Sequence, residues 1–239
     1  MSFYDLRDAF FEPGCAACRL RDDAADRFVS SLLWESVNDP AKRDEIRRAH
    51  GFCREHAWSL VRIGASLGVA IIARDVLQDL MRDMERGAFQ TQAQLSLRRV
   101  REALISRVPS AATGALVSRL TPQSACPACQ WVGQMEDVIL DTLTQNLLGA
   151  DGLLEAFERS DGLCLPHLRQ ALARVRDEAT CEALLAGQRA IWQRLVDQLS
   201  ESIRKSDYRF KDEVWGDESG SWIRAIAALV GTRPGGQGD

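Results

Sequence analysis

Lysine is scarce in this chain. Of 30 basic residues only Lys42, Lys205 and Lys211 are lysines, and 34 acidic residues bring the formal net charge to −4. A protein that neutralises phosphate backbones needs a clear cationic excess, so the composition gives no sign of nucleic acid as a partner. Long apolar runs are missing too. The longest, "LGVAIIA" from Leu67, falls far short of the roughly 20 residues that cross a bilayer, and no membrane span is expected. The opening "MSFYDLRDAF" lacks the basic start and apolar stretch of a secretory signal, which points to the cytoplasm. Strand signals are nearly absent, as are a Gly-rich phosphate loop, a nucleophile elbow and a two-histidine metalloprotease helix. Histidine is rare, with three in 239 residues.

Cysteine is present in quantity, and its placement is ordered. Seven cysteines in a compartment that keeps thiols reduced argue for metal or redox chemistry over a disulfide framework. Cys15, Cys18, Cys53 and His56 recur as Cys126, Cys129, Cys164 and His167, each 111 positions later. Both copies read Cys-x2-Cys-x34-Cys-x2-His. Six of the seven cysteines and two of the three histidines obey this register. Unrelated core cysteines have no reason to do so.

The stretches between these residues have helical spacing. Leu20, Ala24, Phe28 and Leu32 mark one face of a helix from Cys18. "NDP" at Asn38–Pro40 stops it and can cap the next, which runs to Gly51 as a C-terminal cap. The second copy repeats the plan: a helix after Cys129, a break at "GADG", a short helix, then Gly162. A long helix is expected from each histidine, from His56 to Met84 and from His167 to Ile203. The fold class is all-α: two repeated metal-bound helical lobes with long packing helices and a short C-terminal helix. The expected domains are 1–108, 109–205 and a tail 206–239. The junction is placed at "RVPSAATGALVSRLTPQSA" from Arg107, with a turn and then a brief helix before Pro122. In the tail, "YRFKDE" reads as irregular and "WIRAIAALVG" as an amphipathic helix ending at Gly231.

Each Cys-x2-Cys and Cys-x2-His pair is placed at a helix start, where residues three apart point the same way and form a two-ligand clip. Within each copy, the hairpin is expected to bring its own two clips together at the positive ends of two helix dipoles. Three thiolates and an imidazole are the Cys3His set of structural zinc sites, giving two zinc ions per chain. An iron–sulfur cluster and metal-free reversible disulfides are the alternatives. Four protein ligands leave no open position, which argues against metal catalysis. Arg19 and Arg54, each following a cysteine, are candidates to stabilise the first site's negative charge or are plain surface residues. His50, off the register and aligned with Asp161, reads as a helix-end residue. Cys181 reads as packing within the last long helix, and the basic face of "LRRVREALISR" from Leu97 as a solvated surface or partner contact.

The paired "CAAC" and "CPAC", the "GFCREH" and "GLCLPH" elements and the tail "YRFKDE…GDESGSWIRAIAALVG" resemble the bacterial and archaeal proteins grouped as domain of unknown function 6062. The resemblance covers most of the chain. It implies an all-helical, metal-binding intracellular protein, and supplies no substrate. Taken together, the residues point to a binding or regulatory module with an unidentified protein partner. The alternative is a redox protein, either an iron–sulfur carrier or sensor or a zinc–thiolate switch.

Overall fold

A computed structural model of the chain describes residues 3–93, 111–210 and 212–233. The basic cluster from Leu97 and the first residues of the expected junction lie outside them. Among the described residues there are helices and no strand. In chain order the α-helices are α1 (Phe3–Ala9), α2 (Ala16–Ser31), α3 (Pro40–Arg48), α4 (Arg54–Ser59), α5 (Ser66–Ala93), α6 (Ala111–Arg119), α7 (Pro127–Asn146), α8 (Leu153–Arg159), α9 (Leu165–Leu172), α10 (Glu178–Lys205) and α11 (Ser221–Val230). The brief helix expected before Pro122 is α6, and it begins inside the stretch read as a turn.

Contacts divide the chain into a middle unit, Ala25–Trp131, and a terminal unit made of Met1–Ala24 and Val132–Asp239. This is not the division at 108/109 and 205/206 that the sequence suggests. Both divisions fall within long helices, since α2 and α7 each start in one unit and end in the other.

The middle unit packs Val29, Leu32, Leu33, Ile46, Leu60, Ile72 and Val76 into one core. Asp39 opens α3 as expected: its backbone is extended and its carboxylate accepts from the amides of Ala41 and Lys42 at 2.8 and 3.1 Å. The far end of α3 differs in detail from the expected Gly51 cap. The Gly51 amide donates to the Ile46 carbonyl at 2.8 Å and the His50 amide to Arg47 at 2.9 Å. That is the six-to-one and five-to-two bonding of a Schellman end, and it puts His50, not only Gly51, in the left-handed region at φ +52°. Asp75 on α5 takes Arg43 and Arg47 of α3 at 3.0 and 2.8 Å. Partial burial pushes its carboxyl up, but the two guanidiniums outweigh this and hold it below the usual carboxylate range.

The terminal unit buries Leu6, Phe10, Leu20, Ile139, Leu143, Phe157, Leu163, Leu184 and Ile191. Phe10 and Phe157 meet edge to face at 5.6 Å. Gly187 lets α10 close on α8, because a Cβ there would lie 2.9 Å from the Phe157 ring. Glu218 ties the segment before α11 to the end of α10, accepting from the Gly216 amide at 2.9 Å and Lys205 Nζ at 2.7 Å. These two donors hold its carboxyl down to about 2. α11 ends at Gly231 (φ +95°), as the sequence suggested.

Neither long helix after the histidines is continuous. The first stops at Ser59 and resumes at Ser66, turning through Gly64 at φ +81° beneath the Trp34 ring. The second stops at Leu172 and restarts where Asp177 caps α10, accepting the Thr180 amide at 2.8 Å. Apolar periodicity runs through both breaks, so it could not reveal them. Among the described residues, no helix is long and apolar enough to cross a membrane.

Candidate metal centres

All four clips share one local design. The first residue of each pair stands at or just before the helix start, and its carbonyl accepts from the amide four positions on: Cys15 from Arg19 (3.1 Å), Cys126 from Gln130 (3.0 Å), Cys53 from Ala57 (2.8 Å) and Cys164 from Leu168 (2.8 Å). Its partner is the third residue into the helix. The two donor atoms therefore face the same way from a first turn whose free amides favour negative charge.

The eight predicted residues do form two groups of four, but the pairing is crossed. Cys15 and Cys18 meet Cys164 and His167 in the terminal unit, and Cys126 and Cys129 meet Cys53 and His56 in the middle unit. The expected set of Cys15, Cys18, Cys53 and His56 does not assemble. Helix lengths give the reason. α2 has 16 residues and carries the chain about 24 Å from its cysteines, while the nine of α3 return only about 14 Å. In the second half α7 runs 20 residues and α8 seven, about 30 Å out and 10 Å back. Each Cys-x2-His is thus left at the far end of its long helix. There it meets the other half's Cys-x2-Cys, as Phe28 near the end of α2 meets Trp131 near the start of α7 at 6.4 Å.

In the terminal group the His167 Nδ1 atom lies 3.4 Å from Cys15 Sγ, 3.4 Å from Cys18 Sγ and 3.1 Å from Cys164 Sγ, with Cys18 and Cys164 sulfurs 3.7 Å apart. In the middle group His56 Nδ1 lies 3.2, 3.3 and 3.8 Å from Cys53, Cys129 and Cys126, and the Cys53 and Cys129 sulfurs are 3.6 Å apart. A tetrahedron with metal–sulfur bonds near 2.3 Å and metal–nitrogen bonds near 2.0 Å has edges of about 3.5–3.8 Å. Both groups can hold a metal ion.

Their surroundings differ. All four terminal residues are buried, His167 with 2% of its surface exposed. His167 turns its other ring nitrogen, Nε2, to Glu136 at 2.8 Å, and Glu136 also accepts from Gln170. Burial alone lowers the basicity of His167, but Cys164, Cys18 and Glu136 together push its pKa up to about 11. Cys15 and Cys164 donate toward Cys18 and lower its pKa, and the same exchange raises Cys15. The Thr232 amide also donates to Cys18. Gly231 lies beside it at φ +95°, and a Cβ there would be strained and stand a tight 3.3 Å from the Cys18 sulfur. Asp161 accepts from the Gly14 amide at 2.7 Å and fixes the loop into Cys15.

In the middle group Cys126 and His56 are buried, Cys53 is half-buried and Cys129 is exposed. Partial desolvation and the sharing of a proton with Cys53 push Cys129 up to about 12. Among the described residues no carboxylate meets His56 Nε2. The position 111 residues before Glu136 is Ala25.

Arg19 and Arg54 do not flank one site, as expected, but one each. Arg19 donates to the Pro13 carbonyl near the terminal group, and Arg54 is exposed beside the middle group. His50 and Cys181 belong to neither. Sequence reasoning missed Glu136, Thr232 and the approach of Gly231 to Cys18, because none has a counterpart in the repeat.

The family model for a family of unknown function, DUF6062, matches residues 4–235. The chain belongs to this family. A relative from Caldicellulosiruptor sp. (strain Rt8B.4), described as an uncharacterized 23.9 kDa protein in the xynA 3′ region, is 25% identical over 225 residues, 94% of this chain and 98% of that protein. No solved structure matches. This DUF6062 chain is all-helical and carries two Cys3His groups that can hold metal ions.

Proposed function

We propose that each Cys3His group holds one zinc ion, and that the two ions staple a helical scaffold acting in the cytoplasm as a binding or regulatory module for a protein partner. The observation that carries this reading is the closeness of the donors. In each group all four ligand atoms lie within 4.8 Å of one another. An iron–sulfur cluster spreads its ligands over two or more iron atoms and holds them farther apart. A single ion at the centre of four protein donors has no free position for substrate, so its contribution is to stability. Metal binding replaces the protons the thiols share and becomes folding free energy.

Protein purified without oxygen should contain about two zinc ions per chain and show no visible colour. Full chelation should then remove most of the helical circular dichroism. Brown protein containing iron and sulfide, or full helicity after complete metal removal, would sink the proposal.

A further inference from the structure

We infer that the middle group is a peroxide-sensitive site, in which Cys53 and Cys129 close to a disulfide and release the ion while the terminal group keeps its own. This rests on the reading that both groups hold zinc. The structure builds two sets of the same donors and treats them oppositely. The terminal sulfurs are covered, and Cys18 is further screened by the Thr232 amide and the backbone of Gly231. The middle group presents Cys129 to solvent, with Cys53 half-buried behind it and their sulfurs 3.6 Å apart. One sulfur is placed to be attacked and the other to resolve it.

Cys129 is the exposed donor of the group, the sulfur a hydroperoxide can reach. The Cys129 sulfur takes the distal oxygen of a hydroperoxide, the oxygen–oxygen bond breaks, and the leaving alkoxide or hydroxide picks up a proton. The product is a sulfenic acid. The Cys53 thiolate attacks that sulfur, forms the disulfide and expels hydroxide, which takes a second proton to become water. Two thiolates lose two electrons and the peroxide gains them. Only Cys126 and His56 then remain to hold the ion.

The histidines reinforce the contrast. Glu136 holds His167 in its ligating orientation, and such outer carboxylates raise both ligand basicity and metal affinity. In the middle group, once the disulfide forms, two protein ligands remain where four stood, and two hold an ion less firmly than four.

The test uses the full chain, assayed for zinc beforehand, then given one equivalent of hydrogen peroxide with a chromophoric chelator present. Peptide mapping reads which cysteines are joined. The expected result is release of one zinc of two, a Cys53–Cys129 disulfide, and recovery of the site by a thiol reductant plus zinc. Retention of both ions, release of both together, or a disulfide among Cys15, Cys18 and Cys164 would overturn the inference. A chain that carries no zinc before peroxide refutes the proposed function instead. The same chain reconstituted with two equivalents of zinc then decides the inference by the same release and mapping.

Discussion

His167 turns Nδ1 to the three sulfurs of its group and Nε2 to Glu136, which it meets at 2.8 Å. Replacing Glu136 with Gln removes the charge while keeping an acceptor. Zinc affinity of the terminal group should fall about 10–100-fold, with the middle group unchanged, as read by competition with a chelator of graded strength. The eight residues that form the two groups were legible in the sequence because the same spacing writes each one twice. Glu136 was not, because its counterpart is Ala25 and a lone glutamate on a helix carries no signal. Gly231 was legible as a helix end, but its approach to Cys18, like that of Thr232, was not: both reach that sulfur from the opposite end of the chain, and no local pattern encodes that approach.

At the scale of elements, caps were well marked and breaks were not. Asn38–Pro40 announced the start of α3 because Asp and Pro have distinct roles there. The interruptions at Leu60–Ala65 and Ala173–Asp177 escaped notice, since apolar residues continue in helical spacing on both sides. The end of α3 offers a direct check. His50 adopts φ +52°, a conformation that costs most residues about 1 kcal/mol and glycine almost nothing. His50→Gly should therefore raise stability by about 0.5–1 kcal/mol, measured by denaturant unfolding of the zinc-loaded protein. The substitution should not alter metal content, because His50 belongs to neither Cys3His group.

For the whole molecule, the repeated spacing picked out the eight residues of the two groups but pairs them within each copy, where the structure crosses them. Periodicity states where helices start, but the pairing of clips depends on how far each helix carries the chain before it returns. A fragment of residues 1–108 tests the consequence. It holds Cys15, Cys18, Cys53 and His56, yet it lacks both members of each partner clip. It should titrate with zinc weakly and gain little helix on binding, whereas residues 25–131 carry a complete set in Cys53, His56, Cys126 and Cys129 and should gain both.

The crossed arrangement also sets an order of events on the ribosome. By the time His56 has been made, the nascent chain carries Cys15, Cys18, Cys53 and His56, four residues that the finished structure divides between two groups. The middle set is complete only with Cys129, 76 residues after Cys53, and the terminal set later still, with His167, 149 residues after Cys18. At about 5–20 residues per second, Cys15 and Cys18 wait roughly 7–30 s for their partners. Neither group can therefore form until long after its first clip has left the ribosome, and any ion must arrive late in synthesis or after it.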